Sequence, residues 1–299
     1  MTSPHYENAA RVLRTPDVDP AELHAAAVEL CQAFVRNEHS IGLLPGDAPD
    51  LLVQTLRAAG DRGNVPALLD LALLYERGGI APWAPFPAHD SAAAISLYRA
   101  ADELGDRDGA LGWVRTAYFA RDESEASAAA TRLGVLHAQD PENAELMLFL
   151  GYFLHQGYGY AEDAAAGTRF FEAAAARGDA AAAFELSILT SDGGVTDASV
   201  AWTHRAAELG SDRAQSNLGG MYATGRGVTK DTVQAMQWYA RAGEAGNARA
   251  AFIAGLMLLT GDEGLDPDPA SAVELFSLAD ELGFDVDASL EGMGLARPE

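Results

Sequence analysis

Three things are scarce in this 299-residue chain: cysteine, lysine and unbroken apolar sequence. Cys31 stands alone, which excludes an intramolecular disulfide and a cysteine metal cluster. Lys230 is the only lysine, and 20 basic residues face 44 acidic ones, giving a formal net charge of -24. Nucleic-acid backbones are bound through basic stripes and anionic membrane surfaces attract polybasic segments, so this balance excludes both as partners. Basic proteins or peptides remain as electrostatically steered partners, beside plain solubility. The longest strongly apolar run, Leu146–Leu154, is far too short for membrane insertion. Residues 1–17 lack the apolar core of a secretory signal, so a cytoplasmic location is expected.

Recognisable chemistry is absent too. The histidines His5, His24, His39, His89, His137, His155 and His204 are scattered, with no i, i+4 pair of the kind a helical zinc site uses. Asp262, Glu263, Asp266 and Asp268 crowd together, but their loop lacks the turn glycine and closing glutamate of a calcium loop. Gly225-Arg226-Gly227 has no strand before it and no lysine-threonine pair after it, so it is not a phosphate cradle. No GxSxG occurs, and Cys31 has no matching histidine motif. The sequence therefore assigns no catalytic, cofactor-binding or metal-ligating residue.

Repetition is what the chain has. Ala214–Gly246 carries a skeleton of Ala214, Leu218-Gly219, Tyr222, Gly225, Gly227-Val228, Asp231, Ala235, Trp238-Tyr239, Ala242 and Gly246. Ala250, Gly255, Leu258 and Gly261 repeat four of these positions in the next unit, which closes at Gly283. A period of about 34 to 40 residues marks a helical solenoid. Further units run over Gly63–Gly105, Pro141–Gly178 and Asp179–Gly210, the last four residues shorter than its neighbours. Asp106–Asp140 keeps the helical period with little of the skeleton, and a proline-rich insertion occupies Ala81–His89.

Each position has a physical reason. Small residues let helices approach, Leu218 and Tyr222 share one helical face, the glycines turn the chain, and Asp231 sits where a helix N-cap belongs. The order LGxxY, GxGV, D, A, WY, A, G resembles the Sel-one-like repeat (SLR) family, a tetratricopeptide-like group, over most of residues 63–283. The resemblance implies an all-α fold and an adaptor role, and it carries over no catalytic residue. The expected architecture is a right-handed α/α solenoid of about six helix-turn-helix repeats with capping helices. Residues 1–20 read as a polar, partly disordered lead, 21–62 as a degenerate N-terminal capping pair, 63–283 as the solenoid and 284–299 as an acidic C-terminal cap or tail.

Tetratricopeptide-like packing implies a concave face built by the first helix of each unit. Its positions are Glu145, Leu148, Phe149 and Tyr152 in one unit and Phe184, Glu185 and Ile188 in the next. Arg213, Ser216, Asn217 and Gly220 follow, then Arg249, Phe252, Ile253 and Leu256. Large apolar side chains there are either covered by curvature or a capping element, or they form an apolar groove rimmed by Glu145 and Glu185. The groove suits a basic or amphipathic peptide. The functional expectation is a non-enzymatic protein-interaction scaffold or adaptor binding a protein or peptide on that face. The alternative is an acidic, immunity-type inhibitor that neutralises a basic toxin or enzyme.

Overall fold

The computed structural model describes residues 2–35, 44–78, 88–191 and 193–298, and among them the regular elements are sixteen helices. In chain order they are α1 (Pro4–Arg14), α2 (Pro20–Val35), α3 (Ala48–Gly60), α4 (Val65–Arg77), α5 (Ser91–Glu103), α6 (Arg107–Ala120), α7 (Ala126–Gln139) and α8 (Ala144–Gln156). They continue as α9 (Ala164–Ala176), α10 (Ala180–Leu189), α11 (Asp197–Glu208), α12 (Asp212–Thr224), α13 (Thr232–Glu244), α14 (Ala248–Thr260), α15 (Pro269–Glu281) and α16 (Val286–Gly292). The chain forms two compact units, Met1–Gln139 with Gly157–Ala161, and Asp140–Gln156 with Glu162–Glu299.

In unit 1 the lead expected to be partly disordered is helix α1. Pro4 occupies the first turn, where no backbone donor is needed, and Ala9 and Val12 are completely buried in one core with Leu23, Leu30, Leu52 and Leu56. The Tyr6 hydroxyl donates to Asp47 at 3.0 Å and fixes α1 beside the start of α3. Helices α4 with α5 and α6 with α7 follow as packed neighbours. Arg132 clamps Asp102 through Nε and Nη2, and Arg115 reaches Glu76 at 3.1 Å. Most of the proline-rich insertion lies outside the described residues; at its end His89 places Nδ1 2.7 Å from the Glu76 carbonyl. Segment Gly157–Ala161 belongs to unit 1 through Tyr158, whose buried hydroxyl donates to the carbonyls of Ala117 and Asp122.

Both units are punctuated by capping side chains. Asp90, Asp163, Asp231 and Asp268 each accept from the backbone N–H three residues on, at the start of a repeat's second helix. Thr196 does the same in a reciprocal capping box with Ser199. Asn64, Asp106, Asp179, Ser211 and Asn247 cap first helices in the same way. Part of the acid content thus has a structural use: the capping aspartates satisfy orphan donors at the positive end of a helix dipole. At the other end of α12, Gly225 closes the helix in the left-handed region at φ +73°, and Gly246 ends the repeat at φ +103°.

The helices of unit 2 pair as α8–α9, α10–α11, α12–α13 and α14–α15, with α16 beyond. One contact recurs inside three of these pairs. An aromatic ring seven residues before the closing glycine lies flat against a glycine of the first helix. A Cβ added to Gly151 would lie 2.5 Å from the Phe171 ring, one on Gly219 2.9 Å from Tyr239, and one on Gly255 2.8 Å from Phe276. The glycine removes the side chain that would hold the helices apart, and the ring fills the resulting contact. The pair α10–α11 departs from this pattern: Ser187 stands at the glycine position and Thr203 at the aromatic one. Both are buried, and each hydroxyl donates to a carbonyl of its own helix, Phe184 and Ser199 respectively.

Gly151→Ala and Gly219→Ala are expected to cost about 1–3 kcal/mol each through overpacking, read as a lowered urea midpoint. Adding Phe171→Leu to Gly151→Ala recovers part of that loss, and simple additivity would show that the ring and the glycine do not oppose each other. In unit 1, burial and then the carboxylates of Asp122, Glu123 and Glu125 push the Tyr158 phenol up to about 12. A phenol raised in the folded state contributes stability that is intact below its ordinary value near 10 and is lost as pH rises from there through about 12. Denaturation midpoints are therefore expected to fall over that window, and Tyr158→Phe makes the fall shallower. At neutral pH the same substitution costs about 1 kcal/mol, because two backbone acceptors lose their donor.

Candidate functional site

The substituted pair α10–α11 sits beside an open cavity of about 780 Å3 on the unit 2 surface. Ser187 and Thr203 form part of its wall. Where the other pairs place a ring, these two small side chains leave space. The remaining wall comes from Ser216, Asn217 and Gly220 of α12, Arg249 and Ile253 of α14, and the connection carrying Gly194 and Val195. Tyr239 lays its ring on Gly219 and brings its hydroxyl beside Gly220, where an added Cβ would be 3.2 Å from the oxygen. Burial raises the Tyr239 phenol above its ordinary value, while the charge of Arg249 draws it back down.

Six expected concave-face residues meet in this cavity: Ile188, Ser216, Asn217, Gly220, Arg249 and Ile253. The others do not form the open apolar groove considered from the sequence. Leu148, Phe149, Phe184 and Phe252 are buried. Phe252 stacks on Phe284 with centroids 4.7 Å apart and meets Phe276 at 5.8 Å, so the segment after α15 covers it. Phe184 lies under the Arg213 guanidinium at 4.7 Å, a cation–π contact. Tyr152 packs edge-on against Phe149 and Phe171 and donates its hydroxyl to Glu185 at 2.9 Å. Glu185 is thereby held away from a rim role, and Leu256 is half-buried in the last core cluster. Sequence reasoning missed Thr203 and Ser187. The signal was available: a threonine stands where Phe171, Tyr239 and Phe276 stand in register.

The cavity's mouth is apolar on one side. Ile188 is 48% exposed and Val195 37%, high values for side chains of this size in a packed helical unit. Its polar groups are hydroxyls, one amide and the guanidinium groups of Arg226 and Arg249. Among the described residues no cluster of histidine, cysteine and carboxylate side chains is arranged to hold a metal ion. No described helix is long and apolar enough to cross a membrane.

The family model for the Sel1 repeat matches residues 65–106, 144–179, 180–211, 212–247 and 248–284, more than half of the chain. No curated protein matches it in sequence. Among solved structures it is similar to a protective antigen of uropathogenic Escherichia coli displaying an SLR fold, at 22% identity and a TM-score of 0.47. That match covers 97% of this chain, which spans only 63% of the antigen. It is also similar to a Sel1 repeat protein from Oxalobacter formigenes, at 21% identity and TM-score 0.44, covering 92% of this chain and 94% of that one. An immunity protein from Pseudomonas aeruginosa matches at 18% identity and TM-score 0.41, over 94% of this chain and 83% of the other.

The unmatched stretch between residues 106 and 144 is the pair α6–α7, whose skeleton is largely lost. Combining Ser187→Gly with Thr203→Tyr is expected to rebuild the missing ring contact and shrink the cavity. Helical content stays unchanged, melting temperature holds or rises, and a crystal structure shows the new ring against α10. A ring turned to solvent would show that Thr203 is not what opens the cavity.

Proposed function

The chain belongs to the Sel1 repeat family, and from that membership and the cavity of unit 2 we propose that it is a non-enzymatic interaction scaffold. Sel1 repeats generally serve protein–protein interaction. In this reading a peptide or loop of a partner protein lies across α10, α12 and α14, within the cytoplasm. The observation that carries it is the convergence of three successive first helices on one open wall, with exposed Ile188 and Val195 beside polar groups. Apolar anchors next to hydrogen-bonding groups are what peptide recognition uses. The described wall residues include no histidine, cysteine or carboxylate, the groups from which acid–base and nucleophilic sites are assembled.

A second reading, an inhibitor of a basic toxin or enzyme, is favoured by one observation. Asp262, Glu263, Asp266, Asp268 and Glu274 are all exposed, near further exposed acids of α15 and α16. Tight binding there would weaken steeply with added salt.

A photo-crosslinking amino acid at Asn217, in the cavity wall, and another at Gln237, exposed on α13, separate the possibilities. In native cells the scaffold reading expects a discrete adduct from position 217 and none from 237. Equal or stronger adducts from 237 would overturn it.

A further inference from the structure

We propose that the cavity's occupant is an acidic segment, a stretch of partner protein that carries a carboxylate beside an apolar side chain. This rests on the scaffold reading and names the chemistry of its partner.

The charge of the wall runs against that of the chain. Carboxylates outnumber basic residues 44 to 20 over the sequence, yet none of the described residues lining the cavity is acidic. Arg226, on the connection after α12, and Arg249, in the first turn of α14, both line it. Some arginines elsewhere meet carboxylates, as Arg115 meets Glu76, Arg132 Asp102, Arg177 Glu142 and Arg297 Asp280, and others lie over rings, as Arg213 does over Phe184 and Arg241 over Trp238. The guanidinium groups of Arg226 and Arg249 make no hydrogen bond or ion pair among the described residues. The side chains of Ser216 and Asn217 and the Tyr239 hydroxyl are equally without a hydrogen-bond partner there. Two guanidinium groups, a phenol, an amide and a hydroxyl thus face one space with their donors unused.

Such a wall is matched by a carboxylate. Guanidinium forks bind carboxylates bidentately, and charge-assisted hydrogen bonds are roughly twice as strong as neutral ones. Exposed Ile188 and Val195 supply the apolar half of the contact. The chain's net charge of -24 does not forbid this, since screening over about 8 Å at physiological salt leaves the nearby arginines to dominate once a segment is seated. The described wall residues offer a basic peptide no counter-charge. The volume of about 780 Å3 falls within the range that encloses a few side chains.

The test is fluorescence anisotropy with three labelled peptides in which leucine alternates with glutamate, glutamine or lysine. The glutamate peptide is expected to bind at least about tenfold tighter than the glutamine one, and the lysine peptide not at all. Combining Arg226→Gln with Arg249→Gln should abolish the glutamate preference, weakening the glutamate peptide far more than the glutamine one while leaving helicity unchanged. Equal affinity for glutamate and glutamine peptides would overturn the acidic preference and leave docking in the cavity intact. Glutamate binding that survives both the arginine changes and the Ser187→Gly, Thr203→Tyr pair would place it elsewhere and overturn docking as well. Failure of the glutamate peptide to bind overturns the acidic inference alone, since crosslinking at positions 217 and 237 still judges the scaffold reading.

Discussion

The contact on which unit 2 depends is a ring laid on a bare stretch of helix backbone. Phe171, Tyr239 and Phe276 each seat on a glycine of the preceding helix, and that closeness fixes how the two helices of a repeat cross. Around it, everything else is small or capped. Ala174, Ala242 and Ala279 continue the contact one turn on, and the aspartate caps fix where each second helix begins.

This arrangement explains why the fold was legible. The glycine, the ring, the small residue and the closing glycine recur at nearly constant separations, so Gly219 and Gly255 could be placed before any coordinates. Other features were not legible, for identifiable reasons. Residues 1–20 read as a polar, partly disordered lead, but Pro4 and Pro20 each open a helix, a position where proline loses nothing. Ala9 and Val12 are too few to announce α1, whose stability comes from the tertiary contacts of α2 and α3.

The cavity was half legible. Register put Ser216, Asn217, Arg249 and Ile253 on a shared face, and they do line one space. Register could not say that Phe252 is covered by Phe284, or that Arg213 lies over Phe184, because those partners come from elsewhere in the stack. The acidity proves divided as well. Asp163, Asp179, Asp231 and Asp268 are engaged in capping, whereas the charged side chains among the described cavity residues are those of arginine.

Thr203 has a mechanical side. In stacked repeats, cohesion is a sum of terms within each repeat and between neighbours, with no distant reinforcement. The pair α10–α11 lacks the ring contact that the pairs on either side have, and on that sum it is expected to be the more compliant joint of unit 2. The same absence that makes room for a guest makes the wall able to adjust around it. On the docking proposed above, a segment entering there would fill the void left by the lost ring and tie α10 to α11, so occupancy and rigidity would rise together.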